Sequence, residues 1–317
     1  MPLNPLDLIA QMPGAVSQGL IWGIMAIGVF ITFKILNIAD LTVDGSFCTG
    51  GAVCVMMLLN GHHIAVAMLC AFIAGLLAGA ATGFFHTFCG ISAILAGILT
   101  QLALWSVNLA IMGRANQSIN VNNFDLLVSL RYLQEVIKGV RPFYWSPILV
   151  VGVFLVLIIG LLYWFFGTEL GSAVRATGAN LNMARAQGIN TAANTVLGLM
   201  LSNGLVALSG AILAQYSGFA DINMGRGAIV IGLAAVIIGE VVFARIFRNF
   251  GLRLLGVAFG AVIYYVVIQA VLWLRLDPNH LKLLSALVVA MFLAVPFWRE
   301  KYFSKSLLTK KGGAGHA

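Results

Sequence analysis

The chain has 317 residues, of which 61% are hydrophobic and 9% are charged, and its formal net charge is +8. A water-soluble domain carries about 25% charged residues, so this composition excludes a protein whose whole surface faces water. The apolar runs are unbroken rather than alternating every second residue, which indicates membrane helices and not the strands of a membrane barrel. We therefore expect an all-α, polytopic transmembrane helix bundle.

Nine apolar segments approach the length of about 20 residues that a membrane span requires. In chain order the predicted spans are 14–34, 45–60, 64–85, 91–113, 147–167, 193–216, 228–243, 252–274 and 281–298. The seventh is short enough to be a half-helix, so the expected count is eight to ten. We expect a single transmembrane domain over residues 1–300, with a long loop at 114–146 and a basic tail at 301–317. No basic residue precedes the first apolar stretch, so we expect no cleaved signal peptide.

The orientation of the bundle follows from its basic residues, which concentrate in cytoplasmic loops. With segment 168–192 in the cytoplasm, alternation of the spans places eleven of the 18 Lys and Arg residues inside. These eleven include the clusters in FARIFRNFGLR (243–253) and WREKYFSKSLLTKK (298–311). We therefore expect the N-terminus outside and the C-terminus in the cytoplasm. Since topology accounts for the basic charge, no nucleic-acid partner is expected.

Glycines recur at a regular spacing in two of the predicted spans. In the third span, AGLLAGAATG places Gly75, Gly79 and Gly83 four residues apart on one helix face, and Gly256 and Gly260 repeat the pattern in the eighth. Small residues at this spacing allow helices to approach closely. The pattern predicts a tightly packed bundle.

The stretch NIADLTVDGSF, residues 37–47, places two acids between the first two spans. One interpretation is a water-exposed turn in which Asp40 forms a surface pair with Lys34. The other is a helix break packed inside the bundle, where irregular backbone is tolerated only against protein or a water-filled cavity. An ionisable residue at such a depth marks a transport pathway. A place along this pathway is favoured more for Asp44 and Ser46 than for Asp40.

A polar segment, RATGANLNMARAQGIN (175–190), lies between the fifth and sixth spans. Asn180 can cap a helix, LNMARAQ is long enough for two turns, and Gly188 suits the position just after the helix end. So short a helix is marginal alone in water. It is either an ordinary connecting loop or a helix held by the bundle or by a partner protein.

The run from Arg175 to Glu240, together with NIADLTVDGSF and ISAILAGILT (91–100), resembles the permease subunits of ABC importers. The similar group includes the branched-chain amino acid and ribose-type sugar permeases. The resemblance covers about 14–298 and is weakest in the loop 114–146. Within the group, LNIADLTVDGSF looks most like a subgroup associated with tryptophan or tyrosine uptake.

The resemblance implies a transport subunit of the bacterial cytoplasmic membrane that works with separate ABC ATPase subunits, an external substrate-binding protein and a second permease copy. The segment matching 175–190 carries the family's coupling helix. This assigns contact with the ATPase to Arg175, Gly178, Asn180, Leu181, Ala184, Arg185 and Gly188. The segment matching 37–47 lies along the family's translocation route. The pathway-lining candidates are Asn37, Asp40, Thr42, Asp44, Ser46, Asn203 and Glu240.

Asn203 and Glu240 have alternative interpretations. A lone amide in an apolar helix, such as Asn203, usually bonds a neighbouring helix, and this structural interpretation is favoured over a pathway role. Glu240 is either a pathway acid or the cytoplasmic end of a helix near Arg245.

The sequence contains no GxxxxGK[ST] run, no HExxH and no catalytic constellation, so we expect no enzyme, no metal site and no cofactor on this chain, with ATP and Mg on the partner ATPase. The expected solute is small and polar, most simply an aromatic or branched-chain amino acid, with sugars and nucleosides as alternatives. The other class is a secondary transporter driven by an ion gradient. It is disfavoured because the hydropathy pattern shows no internal two-fold repeat.

Overall fold

A computed structural model describes residues 5–121, 124, 126–139, 142, 145–243, 246–247 and 249–273, with 283, 286, 287, 289–291 and 294 beyond these. The helices are α1 Pro5–Phe30, α2 Val43–Leu59, α3 Ile64–Thr87, α4 Ala93–Met112, α5 Leu130–Ile137, α6 Pro147–Gly167, α7 Glu169–Ala179, α8 Leu181–Ala186, α9 Thr191–Ser217, α10 Ala228–Phe243 and α11 Phe250–Trp273. The strands are β1 Asn116–Ser118 and β2 Phe219–Asp221. The predicted helix bundle is confirmed.

Six helices are long and apolar enough to cross a membrane, namely α1 with its extension to Ile35, α3, α4, α6, α9 and α11. Two further predicted spans form the shorter helices α2, of 17 residues, and α10, of 16 residues. The ninth predicted span, 281–298, and the tail 301–317 lie outside the described ranges, apart from isolated residues. The count of nine therefore stays a prediction, as does the orientation of the termini.

The helices differ sharply in how far the bundle buries them. In the most apolar part of each helix, 78% of the residues of α1 and 72% of those of α9 are buried, against 22% in α4 and 28% in α6. Helix α2 is short but central, because most of its residues are buried. Helices α1, α2 and α9 form the core, while α4 and α6 present long apolar faces to the surroundings, as a membrane helix does.

The glycine face of α3 packs directly on α9. A Cβ atom at Gly75 would overlap the carbonyl of Asn203, one at Gly79 would overlap the carbonyl of Leu199, and one at Gly83 would lie 3.0 Å from the Cα of Val196. The predicted close approach is confirmed. It recurs between α11 and α10, where a Cβ at Gly260 would overlap the carbonyl of Ala235.

We expect Gly79→Val to separate α3 from α9 and to destabilise the bundle by about 2 kcal/mol or more. Overpacked cores cost about 1–3 kcal/mol, and here the added side chain meets backbone atoms of α9, which cannot move aside as a flexible side chain can. Thermal unfolding of the purified protein in detergent measures the loss. Gly152→Val is the matched control, because Gly152 lies in α6 with open space beyond its Cα. Equal melting temperatures for the two variants would contradict the packing argument.

A small antiparallel sheet, which the sequence did not predict, accompanies the helices. Strands β1 and β2 pair with Asn116 opposite Asp221 and Ser118 opposite Phe219. Strands of three residues separated by about a hundred positions leave no periodic signal in the sequence. The sheet joins the loop 114–146 to the segment that follows α9, and we call this the sheet end of the bundle.

The opposite end of the bundle carries α7 and α8, and we call it the α8 end. Four residues separate the end of helix α8 from the first residue of α9, and β2 begins two residues after the last residue of α9. The 27 residues of α9 span about 40 Å at 1.5 Å per residue, so the two ends lie on opposite sides of the bundle. Helix α7, which precedes the predicted polar segment and includes its first residues, was not foreseen.

Candidate functional site

The chain between α1 and α2 is a helix break that enters the bundle. The last turn of α1 continues as a π-helix over Ile31–Ile35, and Asn37 follows with φ of 57°, a left-handed conformation that Asn tolerates better than most residues. Asn37 itself is exposed, whereas Asp40 is 3% and Thr42 0% exposed. Of the two interpretations of this stretch, the structure shows the helix break packed inside the bundle. The predicted surface pair between Asp40 and Lys34 is wrong, because Asp40 is buried and Lys34 pairs with Glu240.

Asn203 connects this break to the middle of α9. Its Nδ2 donates to Asp40 Oδ2 at 2.7 Å, and its Oδ1 accepts from Ser46 Oγ at 2.6 Å. The other carboxylate oxygen of Asp40 accepts from the Thr42 amide at 2.9 Å. Asn203 is the thirteenth of the 27 residues of α9, so this polar cluster lies near half the depth of the bundle.

The cluster satisfies a buried acid with neutral partners. The Thr42 hydroxyl lies 2.6 Å from that of Thr82 on α3, so three helices meet at the start of α2. Within the described part of the chain, no Lys, Arg or His forms an ion pair with Asp40. A buried polar group destabilises the fold unless it is hydrogen-bonded. Asn203 supplies hydrogen bonds to both Asp40 and Ser46. Its contacts are those of the structural interpretation, and a pathway role for it stays a prediction.

Asp44 caps a helix other than its own. Its two carboxylate oxygens accept from the amides of Gly227 and Ile229, each at 3.0 Å, at the first turn of α10. The opening amides of a helix lack partners within it and favour negative charge. Asp44, in the first turn of α2, therefore fixes where α10 begins inside the bundle.

We expect Asp44→Asn to loosen the start of α10 and to alter transport while the bundle still assembles. An amide keeps one acceptor oxygen but turns an NH₂ group toward a backbone N–H, at a cost of about 1–2 kcal/mol. Uptake kinetics and melting temperature together measure the effect. Asp44→Glu keeps the charge and is the control for charge alone. Unaltered uptake by both variants would return Asp44 to a purely local role.

Glu240 belongs to an ionic cluster at the α8 end. Its carboxylate lies 2.7 Å from Lys34 Nζ and 3.2 Å from Arg253 Nη2. Two adjoining cavities of about 420 and 390 Å³ open around the cluster, between the end of α1 and helices α7, α10 and α11. The structure thus pairs Glu240 across helices, whereas its suggested neighbour Arg245 lies outside the described residues.

The segment 175–190 contains the short helix that the sequence predicted. Asn180 Oδ1 accepts from the Met183 amide at 3.0 Å, and Gly188, two residues beyond the end of α8, has φ of 78°. Ala184 is fully buried, and Arg185 Nε donates to Thr191 Oγ1 at 3.1 Å. Ala184 and Arg185 therefore hold α8 to the bundle, and the cap at Asn180 stabilises the first turn of α8 itself.

Two large apolar side chains of α8 are uncovered. Leu181 is 42% and Met183 53% exposed. Upstream, Arg175 is exposed on α7, and Gly178 packs against the Ile35 carbonyl so tightly that a Cβ would overlap it. The segment 175–190 therefore contacts the end of α1 through Gly178 and is exposed to solvent at Leu181 and Met183.

Comparison with known proteins gives the family. Residues 12–296 match the model for the permease component of the branched-chain amino acid transport system. This chain belongs to that family. The permease is 38% identical over 286 residues to a tyrosine transport system permease protein of Clostridioides difficile, an alignment that covers 89% of the permease and 91% of that relative.

Two other relatives are less similar to the permease. An uncharacterized protein of Rickettsia prowazekii is 34% identical and aligns with 88% of the permease and 95% of itself. An autoinducer 2 import system permease protein of Escherichia coli is 29% identical over 227 residues, or 69% of the permease and 60% of that relative. No solved structure matches the permease. The Clostridioides difficile and Escherichia coli relatives are permease proteins of transport systems, and the long apolar helices make the permease a multi-pass membrane protein.

The structure adds residues to the site that sequence reasoning missed. A cleft of about 130 Å³ beside Asp44 is lined by Gln101, Trp105 and Asn108 of α4 and by Arg226 of the segment before α10. A detectable signal existed on α4, because Gln101 and Asn108 lie seven residues apart and place two amides on one face of an apolar helix. No such signal marked Arg226. Its position beside the cleft depends on the path of the chain between β2 and α10, which the sequence does not show.

Proposed function

We propose that this permease imports an amino acid, most simply an aromatic one, across the bacterial cytoplasmic membrane with energy from a separate ABC ATPase. The observation that carries the proposal is the likeness to a tyrosine transport permease over nearly the whole of both chains. The ATP and its Mg²⁺ belong to the partner, because this chain has no phosphate-binding loop.

In the proposed mechanism, α8 receives the movement of the ATPase subunits. Its exposed apolar side chains, Leu181 and Met183, suit an apolar groove on a partner, while Ala184 and Arg185 hold α8 to the bundle. Gly178 packs on the Ile35 carbonyl, so a shift of this segment reaches the end of α1 and the break at 36–42. The pathway then alternates between facing outward and inward.

The sheet end is the proposed docking surface for the substrate-binding protein. Pairing of β1 with β2 holds the loop 114–146 beside the segment 217–227, so the two segments form one surface. Two permease copies would complete the pore, and the weakly buried α4 is the candidate to face the second copy. This assignment agrees with the cleft beside Asp44, which α4 also lines.

A second candidate solute follows from the autoinducer 2 permease of Escherichia coli. That relative makes a small, polar, non-amino-acid solute the alternative, in line with the sugars and nucleosides considered from sequence. The shorter alignment and lower identity favour the amino acid.

Affinity purification from the native membrane in mild detergent tests the proposal, with mass spectrometry of the bound proteins. We expect a stoichiometric P-loop ATPase, and we expect ATP-dependent tyrosine uptake when the complex and its binding protein are reconstituted in vesicles. A chain that purifies alone and transports on an ion gradient would overturn the importer. ATP-driven uptake of a sugar-like solute but of no amino acid would overturn only the solute.

A further inference from the structure

The cleft beside Asp44 contains a buried polar atom without a partner. Asn108 is 1% exposed, and its Nδ2 donates a long hydrogen bond of 3.4 Å to the Gly45 carbonyl. Its Oδ1 has no hydrogen-bond partner in the part of the chain that the structure describes. A buried acceptor left unpaired is destabilising, so its presence against a cleft points to a group that arrives from outside.

The cleft also holds two opposite charges at its rim. The Asp44 carboxylate uses one lone pair of each oxygen on the amides of α10, and each oxygen has a second. Arg226 is exposed and forms no ion pair with any acid in the described ranges. Its backbone is fixed against α2, because a Cβ at the preceding Gly225 would overlap the Asp44 carbonyl.

These groups match one kind of solute. We propose that the cleft binds the zwitterionic end of an α-amino acid, with its carboxylate on Arg226 and its ammonium between the Asp44 carboxylate and Asn108 Oδ1. The volume of about 130 Å³ equals that of about four liquid waters, enough for the two charged groups and the Cα. The side chain then leaves the cleft along Trp105, which is 45% exposed.

The arrangement selects against related solutes. A sugar offers hydroxyls but no charge to Arg226 or Asp44, and an amine or a carboxylic acid satisfies only one of them. Sites built for charged hydrogen bonds reject analogues that lack a partner, because the buried polar groups are then left unpaired. Trp105 can stack on an aromatic ring, so an aromatic amino acid gains a further contact. The inference rests on the proposed function and specifies its solute.

Thiol protection measures occupancy without transport. Leu102→Cys places a thiol on the cleft wall, at a side chain that is 65% exposed. Cys70→Ser and Cys89→Ser remove the native cysteines with exposed surface, while Cys48 and Cys54 are buried. The permease in vesicles is labelled with a maleimide while tyrosine, tyramine or 3-(4-hydroxyphenyl)propionate is titrated. We expect tyrosine to slow labelling and the two analogues, each lacking one charge, to do so at least about tenfold less effectively.

Two variants assign the contacts. Arg226→Gln is expected to raise the tyrosine concentration for half-protection about tenfold and to erase the preference over tyramine. Asn108→Ala is expected to raise it about threefold or more. Arg131→Gln is the matched control, an exposed arginine of α5 paired with Glu135 at 2.7 Å, and should leave protection unchanged.

The outcomes separate this inference from the proposed function. Labelling that tyrosine does not slow, in a permease that still imports tyrosine with ATP, overturns the cleft alone. Protection that survives Arg226→Gln in full overturns the assignment of the carboxylate. If neither protection nor ATP-driven amino acid uptake is found, the proposed solute fails as well.

Discussion

Replacing Asn203 with leucine is expected to remove most of the folded permease from the membrane. The two side chains have similar size, but leucine leaves Asp40 Oδ2 and the Ser46 hydroxyl without their partners. Both residues are at most 3% exposed. An unsatisfied buried group costs about 1–3 kcal/mol and a charged one more, so the expected loss is about 4 kcal/mol or greater. That is a large share of the 5–15 kcal/mol that typically holds a fold together.

Size-exclusion chromatography after detergent extraction and thermal unfolding measure this loss. Asn194→Leu is the matched control, because Asn194 lies on the same helix and is 8% exposed. It has no part in the cluster of Asp40, Ser46 and Asn203. Adding Asp40→Asn to Asn203→Leu should recover part of the yield, since it removes the unpaired charge. A variant that extracts and melts like the unmodified protein would show that Asp40 is satisfied by other means.

The features that sequence reasoning predicted correctly depend on signals within one segment. Asn180 and Gly188 mark the two ends of α8 through local chain geometry. The glycine face of α3 is equally local, since residues four apart lie on one side of a helix whatever it packs against. Such signals survive without knowledge of the neighbours.

The features that sequence reasoning missed depend on which distant segments of the chain pack against each other. The bonds from Asp44 to α10 join residues more than 180 positions apart, and those from Asn203 to Asp40 and Ser46 span more than 150. From sequence, Lys34 was the natural partner for Asp40, being six residues away, yet the helix break turns Asp40 inward and leaves Lys34 to Glu240. A membrane acid can be found from composition, but its role depends on the packing around it.

The two acids of the stretch 37–47, Asp40 and Asp44, have different environments. Asp40 is enclosed by neutral donors at the centre of the bundle and keeps the break at 36–42 in place. Asp44 holds α10 and faces a cleft. Charges in a membrane protein are tolerated where protein or a water-filled cavity surrounds them. One acid therefore contributes to the architecture, and the other lines the cleft that we propose binds the solute.

The double replacement of Leu181 and Met183 by glutamate is expected to abolish ATP-driven uptake while the permease still folds and inserts. These two residues are the exposed large apolar side chains of α8, whereas the contacts that hold α8 to the bundle run through Ala184 and Arg185. Burying two carboxylates in an apolar interface costs several kcal/mol. A loss of more than about 4 kcal/mol lowers affinity for the ATPase about a thousandfold.

Co-purification of the ATPase and transport-stimulated ATP hydrolysis measure the coupling, and the elution profile in detergent reports folding. Leu170→Glu is the matched control, a leucine of α7 that is 59% exposed at the same end of the bundle but outside segment 175–190. It should leave ATPase binding intact. Because the inner contacts of α8 are untouched, a folded double variant that releases the ATPase identifies Leu181 and Met183 as part of the docking surface. Normal uptake by the double variant would refute that role and return α8 to an ordinary connecting loop.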